Sequence, residues 1–240
     1  VDSPLIFLGE IVCLSVAPNS NAAARLVPMI AGVGLVIVPL AFRRRLGKLT
    51  TLIVTIFLAV SPVGVATSRR IGGVGLSILG MVAALSWLDS YLRTRLRRAA
   101  LLCGAALGLA LTADFAAPLG LLALLAGALF AWFTDDEEQL SREILGSALD
   151  GFPWLSFGGG LLGIILTAST AFFLTPRGLG SAADLLGRFV AGIAARPAES
   201  AYAGLVLGLY EPVLLLLGLY GAWLASQSDR PWKRFVAGWG

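Results

Sequence analysis

The chain has no histidine, two cysteines and two methionines, and charged residues fill only 13% of its 240 positions. Without histidine no Ser/His/Asp arrangement can form. Cys13 and Cys103 both lie in apolar stretches and read as packing residues, so a His/Cys metal site is excluded as well. A soluble domain of this size carries charge on about a quarter of its residues. The shortage here, against 58% hydrophobic residues, means that apolar surface faces lipid as well as a core. No Walker or Rossmann pattern is present, and the glycine-rich stretches follow no strand, so they do not cradle phosphates. No fixed-period repeat is evident. The net charge of +4 comes from clustered arginines and does not describe a nucleic-acid-binding face.

What the chain does have is a rhythm of long apolar runs closed by knots of arginine. Ala22–Phe42 is followed by Arg43-Arg44-Arg45-Leu46-Gly47-Lys48, and Ile71–Leu92 by Arg93-Thr94-Arg95-Leu96-Arg97-Arg98. Runs of about twenty residues match a hydrocarbon core about 30 Å thick. The expected fold class is therefore all-α, a polytopic transmembrane helix bundle of about seven spans with short interfacial helices. Residues 1–21 read as an interfacial segment, too short to span and broken by Glu10, which is expected in water at headgroup level. Residues 22–133 hold five spans: Ala22–Phe42, Leu49–Ala66, Ile71–Leu92, Ala99–Thr112 and Pro118–Phe133. Pro28 and Pro39 are expected to kink the first, and Ser61-Pro62 to break or bend the second. Gly72-Gly73-Val74-Gly75 and Gly104–Gly108 supply small-residue faces for close helix packing. Residues 134–151 form an acidic loop. Residues 152–240 hold spans Phe152–Leu174 and Tyr202–Ser226, an amphipathic helix Ser181–Ala195 between them, and in Arg234–Gly240 the start of a further apolar segment. Residue 1 is Val and no signal peptide is visible, so the chain is expected to be a stretch of a longer protein.

Orientation follows from the basic residues. With the Arg43–Lys48 loop inside and spans alternating, twelve of the eighteen Lys and Arg residues fall inside. That bias predicts arginine-rich loops on the cytoplasmic side of a prokaryotic plasma (inner) membrane. Trp87, Trp132, Trp154 and Trp232 near span ends form the interfacial aromatic belt.

Few residues are candidates for chemistry. Ser68, Arg69 and Arg70 lie together at the outer surface, where paired guanidinium groups can clamp a phosphate or pyrophosphate through charge-assisted hydrogen bonds. Contact with lipid headgroups is the competing role. Asp114, in the next outer turn, suits a general base, a metal ligand or a partner for Arg69 or Arg70, against a plain ion pair or helix cap. Glu211, beside Tyr210 and Pro212, interrupts an apolar span and marks a locally polar spot, either functional or a buried hydrogen bond to a neighbouring helix. Asp135–Glu138 reads as a solvated loop.

An ordered series of short patterns is similar to the GT-C superfamily of polytopic glycosyltransferases that use polyprenyl-phosphate sugars, in particular members described as flippase-associated. The series is Pro4-Leu5, Arg25-Leu26-Val27-Pro28, Arg43-Arg44-Arg45-Leu46-Gly47, Ser61-Pro62 with Ser68-Arg69, Gly108-Leu109-Ala110-Leu111-Thr112 and, more weakly, Tyr210-Glu211-Pro212. The resemblance implies sugar transfer from a polyprenyl-phosphate donor at the outer face, with Ser68, Arg69 and Arg70 on the donor phosphate. The family's catalytic acid belongs to a first outer loop that this chain does not contain; Asp2 stands near its expected end without matching it, and Gly72 stands where a further arginine is expected. The catalytic residues are therefore unassigned, and the alternative is a non-catalytic GT-C-derived accessory or scaffold subunit of a larger membrane complex. A flippase or transporter component is a weaker reading, resting on Glu211 in its broken span. The implied partners are the lipid bilayer, the polyprenyl-phosphate sugar and other membrane subunits, with no nucleic acid. No cofactor is predicted beyond the option of a divalent cation.

Overall fold

The computed structural model describes residues 3–16, 21–69, 72–115, 117–133, 151–171, 179–194 and 212–227. Among them there is no strand. The helices are α1 (Pro4–Val16), α2 (Asn21–Ala24), α3 (Leu26–Ile37), α4 (Arg43–Leu46), α5 (Lys48–Val60), α6 (Pro62–Arg69), α7 (Val74–Thr94), α8 (Arg97–Ala113), α9 (Ala117–Phe133), α10 (Trp154–Ser169), α11 (Leu179–Ala194) and α12 (Pro212–Ser226). A 3₁₀ turn over Val38–Phe42 joins α3 to α4.

Two helices are long and apolar enough to cross a membrane: Leu26–Leu46, running through the 3₁₀ turn, and Val74–Thr94. A third is added if the bent pair Lys48–Val60 and Pro62–Arg69 is one span. Of the three prolines expected to disturb these spans, Pro39 and Pro62 do so, while Pro28 sits within the first turn of α3 and leaves that helix unbroken. Pro39 removes an N–H donor and tightens the chain into 3₁₀ geometry. Ser61-Pro62 splits the second span with a 55° bend. Ser61 stabilises the restart, accepting the Gly64 N–H at its Oγ over 2.9 Å. The other expected spans are shorter as helices. α8 and α9 have 17 residues each and α10 has 16. At ~1.5 Å per residue they reach roughly 25 Å, under the thickness of a typical hydrocarbon core.

The chain divides into two units, Val1–Pro118 with Pro153–Arg196, and Leu119–Phe152 with Pro197–Gly240. In the first unit the core is made of small residues. Of the fourteen buried apolar residues among those described, nine are alanine, and Leu185 is the one leucine. Large side chains point outward instead: Ile30, Val33, Ile37, Leu40, Leu52, Ile56 and Ile78 are all exposed. This inverts the pattern of a water-soluble core. It is the arrangement that close helix packing in lipid requires, with small residues at the seams and bulk outside.

The seams are tightest around α8. A Cβ at Gly104 would overlap the Phe157 carbonyl of α10, one at Gly160 the Leu101 carbonyl of α8, and one at Gly73 the Ala113 carbonyl. Gly80 meets Ala106 and Ala110, so α7 and α8 run antiparallel. Gly104 faces Phe157 and Leu161, and Gly108 faces Leu161 and Ile164, so α8 and α10 run parallel. Residue pairs Ala31/Gly75, Gly34/Leu79 and Arg45/Asp89 advance together, so the first long helix and α7 are also parallel. Hydroxyls inside the helices mostly close on their own backbone, as Thr51 does on Gly47, Thr112 on Gly108 and Thr167 on Gly163.

These directions give the unit two distinct ends. One, the arginine end, carries Arg43 to Lys48, Asp89 and Arg93 to Arg98. The far end carries the start of α3, the end of α6, the start of α7, and the ends of α8 and α10. α1 lies against the far end: Ser3 Oγ donates to the Thr112 carbonyl at 2.9 Å, and Gly9 packs on Val27. Within the segment expected to be interfacial, Pro4–Val16 forms a helix held against this end of the bundle.

In the second unit, α9 and α12 are apolar on all sides. Leu119, Leu122, Leu125 and Leu129 of α9 and Leu216, Leu219, Trp223 and Leu224 of α12 are exposed. Tyr220 and Trp223 pair one turn apart, with ring centroids at 5.9 Å.

Candidate functional site

The far end of the first unit collects the candidate residues that the structure describes. Ser68 and Arg69 form the last turn of α6. The Ser68 Oγ donates to the Val65 carbonyl at 2.9 Å, and its Cβ fills the space beside Gly32 of α3. The hydroxyl is thereby committed to its own helix, while Arg69 stands exposed at the helix C-terminus, a position its charge stabilises. Arg70, Tyr210 and Glu211 lie outside the described residues.

Asp114 ends α8. Its backbone is extended, at φ −152° and ψ 147°, and its carbonyl accepts the Ala117 N–H that opens α9. The half-buried Asp114 borders a cavity of about 100 Å³ with Leu111, Thr112, Phe115, Pro118, Ile165 and Leu185. That lining is apolar apart from Asp114 and Thr112. Leu185 is buried there because α11 is amphipathic and turns this residue inward while Gly187, Arg188 and Val190 remain exposed.

Glu10 departs from expectation. It sits on α1, and its Oε1 is buried with no hydrogen-bond partner among the described residues. The neighbouring Gly9 packs on Val27, which holds this turn of α1 against the bundle.

Two polar residues that matter were not singled out from sequence. Ser3 both tethers α1 to α8 and caps α1, accepting the Ile6 N–H at its Oγ over 3.3 Å. Its signal was a serine directly before Pro4 at a helix start. Asp89 is held by Arg45 from the first long helix and by Arg93 at 2.8 Å on its own helix. Its signal was the i, i+4 spacing to Arg93. This triad brings both arginine knots to one end, away from Ser68, Arg69 and Asp114. Among the described residues no three His, Cys, Asp or Glu side chains come together to hold a metal ion.

The first unit is therefore a helical bundle with lipid-type packing, a basic end and a far end capped by α1. No family model, curated protein or solved structure matches the chain.

Proposed function

We propose that the chain is an integral membrane module of about seven spans, similar to the GT-C glycosyltransferases, that binds a polyprenyl-phosphate sugar at the outer membrane face. In this reading the arginine end faces the cytoplasm of a prokaryotic cell and the far end faces out. Arg69, with Arg70, holds the donor phosphate through charge-assisted hydrogen bonds, and Ser68 anchors that turn against α3. Transfer breaks the bond between the sugar's anomeric carbon and the phosphate oxygen and forms one to an acceptor oxygen. The phosphate leaves on the lipid, and a base takes the acceptor's proton. No residue of this chain is assigned as that base.

The observation that carries the proposal is the segregation of ends. The exposed guanidinium of Arg69 and the carboxylate of Asp114 share the end capped by α1, opposite the arginine knots. A phosphate clamp on that side would meet a lipid-linked donor at the headgroup level. The test is to replace Arg69 and Arg70 together by Ala in the full-length protein and measure donor binding and sugar transfer. Unchanged donor affinity and rate would defeat the assignment.

One observation favours a second reading, a non-catalytic accessory subunit. The cavity beside Asp114 is about 100 Å³, while small-molecule sites run to roughly 300–1,000 Å³. Co-purification at fixed stoichiometry with other membrane subunits, with no transferase activity, would support it over the first.

A further inference from the structure

The arginine end gathers cations that no carboxylate among the described residues neutralises. Arg43, Arg44 and Lys48 are exposed where α4 passes into α5, and Arg97 and Arg98 are exposed in the first turn of α8. Among the described residues no carboxylate pairs with any of these five. The two clusters belong to one surface because Arg45 and Arg93 meet on Asp89. Both Asp89 oxygens are used in that contact, one for each arginine. The first turns of α5 and α8 contain no acid. Like charges drawn together in this way repel one another unless anions from outside the described fold lie among them.

The same surface is also greasy. Leu49 is 71% exposed, Leu96 58% and Trp87 39%. Leucine and tryptophan interleaved with arginine suit the boundary between headgroups and acyl chains, where apolar bodies enter the hydrocarbon while charges stay among phosphates. A nucleic acid would leave those leucines without an apolar partner.

Building on the membrane reading above, we infer that the two arginine knots form one docking surface for anionic phospholipid headgroups, assembled by Asp89. Asp89 sets the spacing by drawing Arg45 and Arg93 inward, which leaves Arg43, Arg44, Arg97 and Arg98 turned toward the leaflet. A basic residue near an anionic surface raises affinity about fivefold, an effect that salt screens.

The experiment is native mass spectrometry of the full chain in detergent with equimolar phosphatidylglycerol and phosphatidylcholine. Phosphatidylglycerol should be retained over phosphatidylcholine by about fivefold or more. The R44A/R97A/R98A variant should bring the two lipids close to parity. The R25A variant, which removes a cation at the far end, should leave the preference intact. Circular dichroism checks the fold of the triple variant. If it does not fold, R97Q/R98Q replaces it and should at least halve the preference. Equal retention of both lipids by the unaltered chain overturns the inference. So does a preference that survives the substitutions, or one that does not weaken between about 0.05 and 0.5 M salt, or tighter binding of a short single-stranded RNA than of phosphatidylglycerol. A chain that stays dispersed without detergent defeats the membrane reading itself. A chain that needs detergent yet shows no lipid preference defeats only the docking surface.

Discussion

The Arg45 guanidinium, at the C-terminal end of the first long helix, is ion-paired to the Asp89 carboxylate on α7. The contact joins elements 44 residues apart and fixes their relative height. The side chains are 29% and 19% exposed, so the pair is neither a solvated surface bridge nor a fully buried one. Asp89→Asn removes the carboxylate that Arg45 and Arg93 share. The expected loss is about 1–2 kcal/mol, between the values for exposed and buried pairs. The thermal midpoint in detergent reads it out. In a double-mutant cycle, Arg45→Gln added to Asp89→Asn should cost less than it does alone, because its partner is already gone. Strict additivity would show that the contact contributes nothing.

A second expectation concerns the seam between α8 and α10. A Cβ at Gly104 or Gly160 would overlap backbone carbonyls, and backbone yields less readily than a flexible side chain. Gly104→Val and Gly160→Val should each destabilise the bundle by about 1–3 kcal/mol, the usual range for overpacking. Gly158 and Gly159 face open space. Gly158→Ala should be neutral or slightly stabilising, since Gly is a poor helix former. Equal effects at Gly104 and Gly158 would mean that the glycine run acts through helix propensity and not through contact.

The contrast between neighbouring glycines marks the limit of what the sequence made legible. Helix positions and breaks follow from local chemistry: Pro39 forces a tighter turn, Ser61-Pro62 a bend, and Asp114 a stop before Ala117. The helix over residues 181–195 was visible in its period, and it forms as Leu179–Ala194. Which small-residue run would be a seam was only partly visible. Gly73, Gly104 and Gly160 are pressed against carbonyls, while a Cβ at Gly72, Gly158 or Gly159 would meet nothing within 4 Å among the described residues. That difference depends on the rotation of one helix against another, which no local rule sets. The Ser3–Thr112 contact spans 109 residues. The buried Glu10 Oε1 lies on a helix whose neighbouring Gly9 packs on Val27 of another helix. Both were out of reach for the same reason. Of the site, Ser68, Arg69 and Asp114 were legible as polar residues stranded beside apolar runs, but the cavity beside Asp114 depends on the inward turn of Leu185 from a distant helix.

Ser61 offers a sharper test of local chemistry. Its Oγ accepts the Gly64 N–H at 2.9 Å, and its carbonyl accepts the Val65 N–H at 2.9 Å, so it caps the second limb of the bent pair. Ser61→Ala removes the side-chain bond and should cost about 1 kcal/mol. Ser61→Asp or Ser61→Asn should restore most of it, because either side chain can cap. In a low-dielectric setting Asn should do so better than Asp, which brings a charge to be desolvated. Thermal midpoints of the three variants distinguish the outcomes. Identical values for Ala and Asn would show that Pro62 alone holds the bend.

The final expectation concerns the sides of the bilayer. α8 and α10 run parallel, so the start of α10 lies at the same end of the first unit as the start of α8. Residues at the start of α5, α8 and α10 should therefore be accessible from one compartment, and the turn after α8 from the other. With Cys13 and Cys103 replaced by Ala, single cysteines at Lys48, Arg97 and Trp154 should react with a membrane-impermeant thiol reagent only after the cytoplasmic face is opened. A cysteine at Phe115 should react in intact cells. Lys48, Arg97, Trp154 and Phe115 are all exposed, so shielding within the protein would not mimic the pattern. Labelling of positions 48 and 97 from opposite sides would contradict the shared ion pair that joins their two loops. Labelling of positions 97 and 115 from the same side would mean that α8, at 17 residues, does not cross. The number of spans, and with it the outward position of Arg69, would then have to be redrawn.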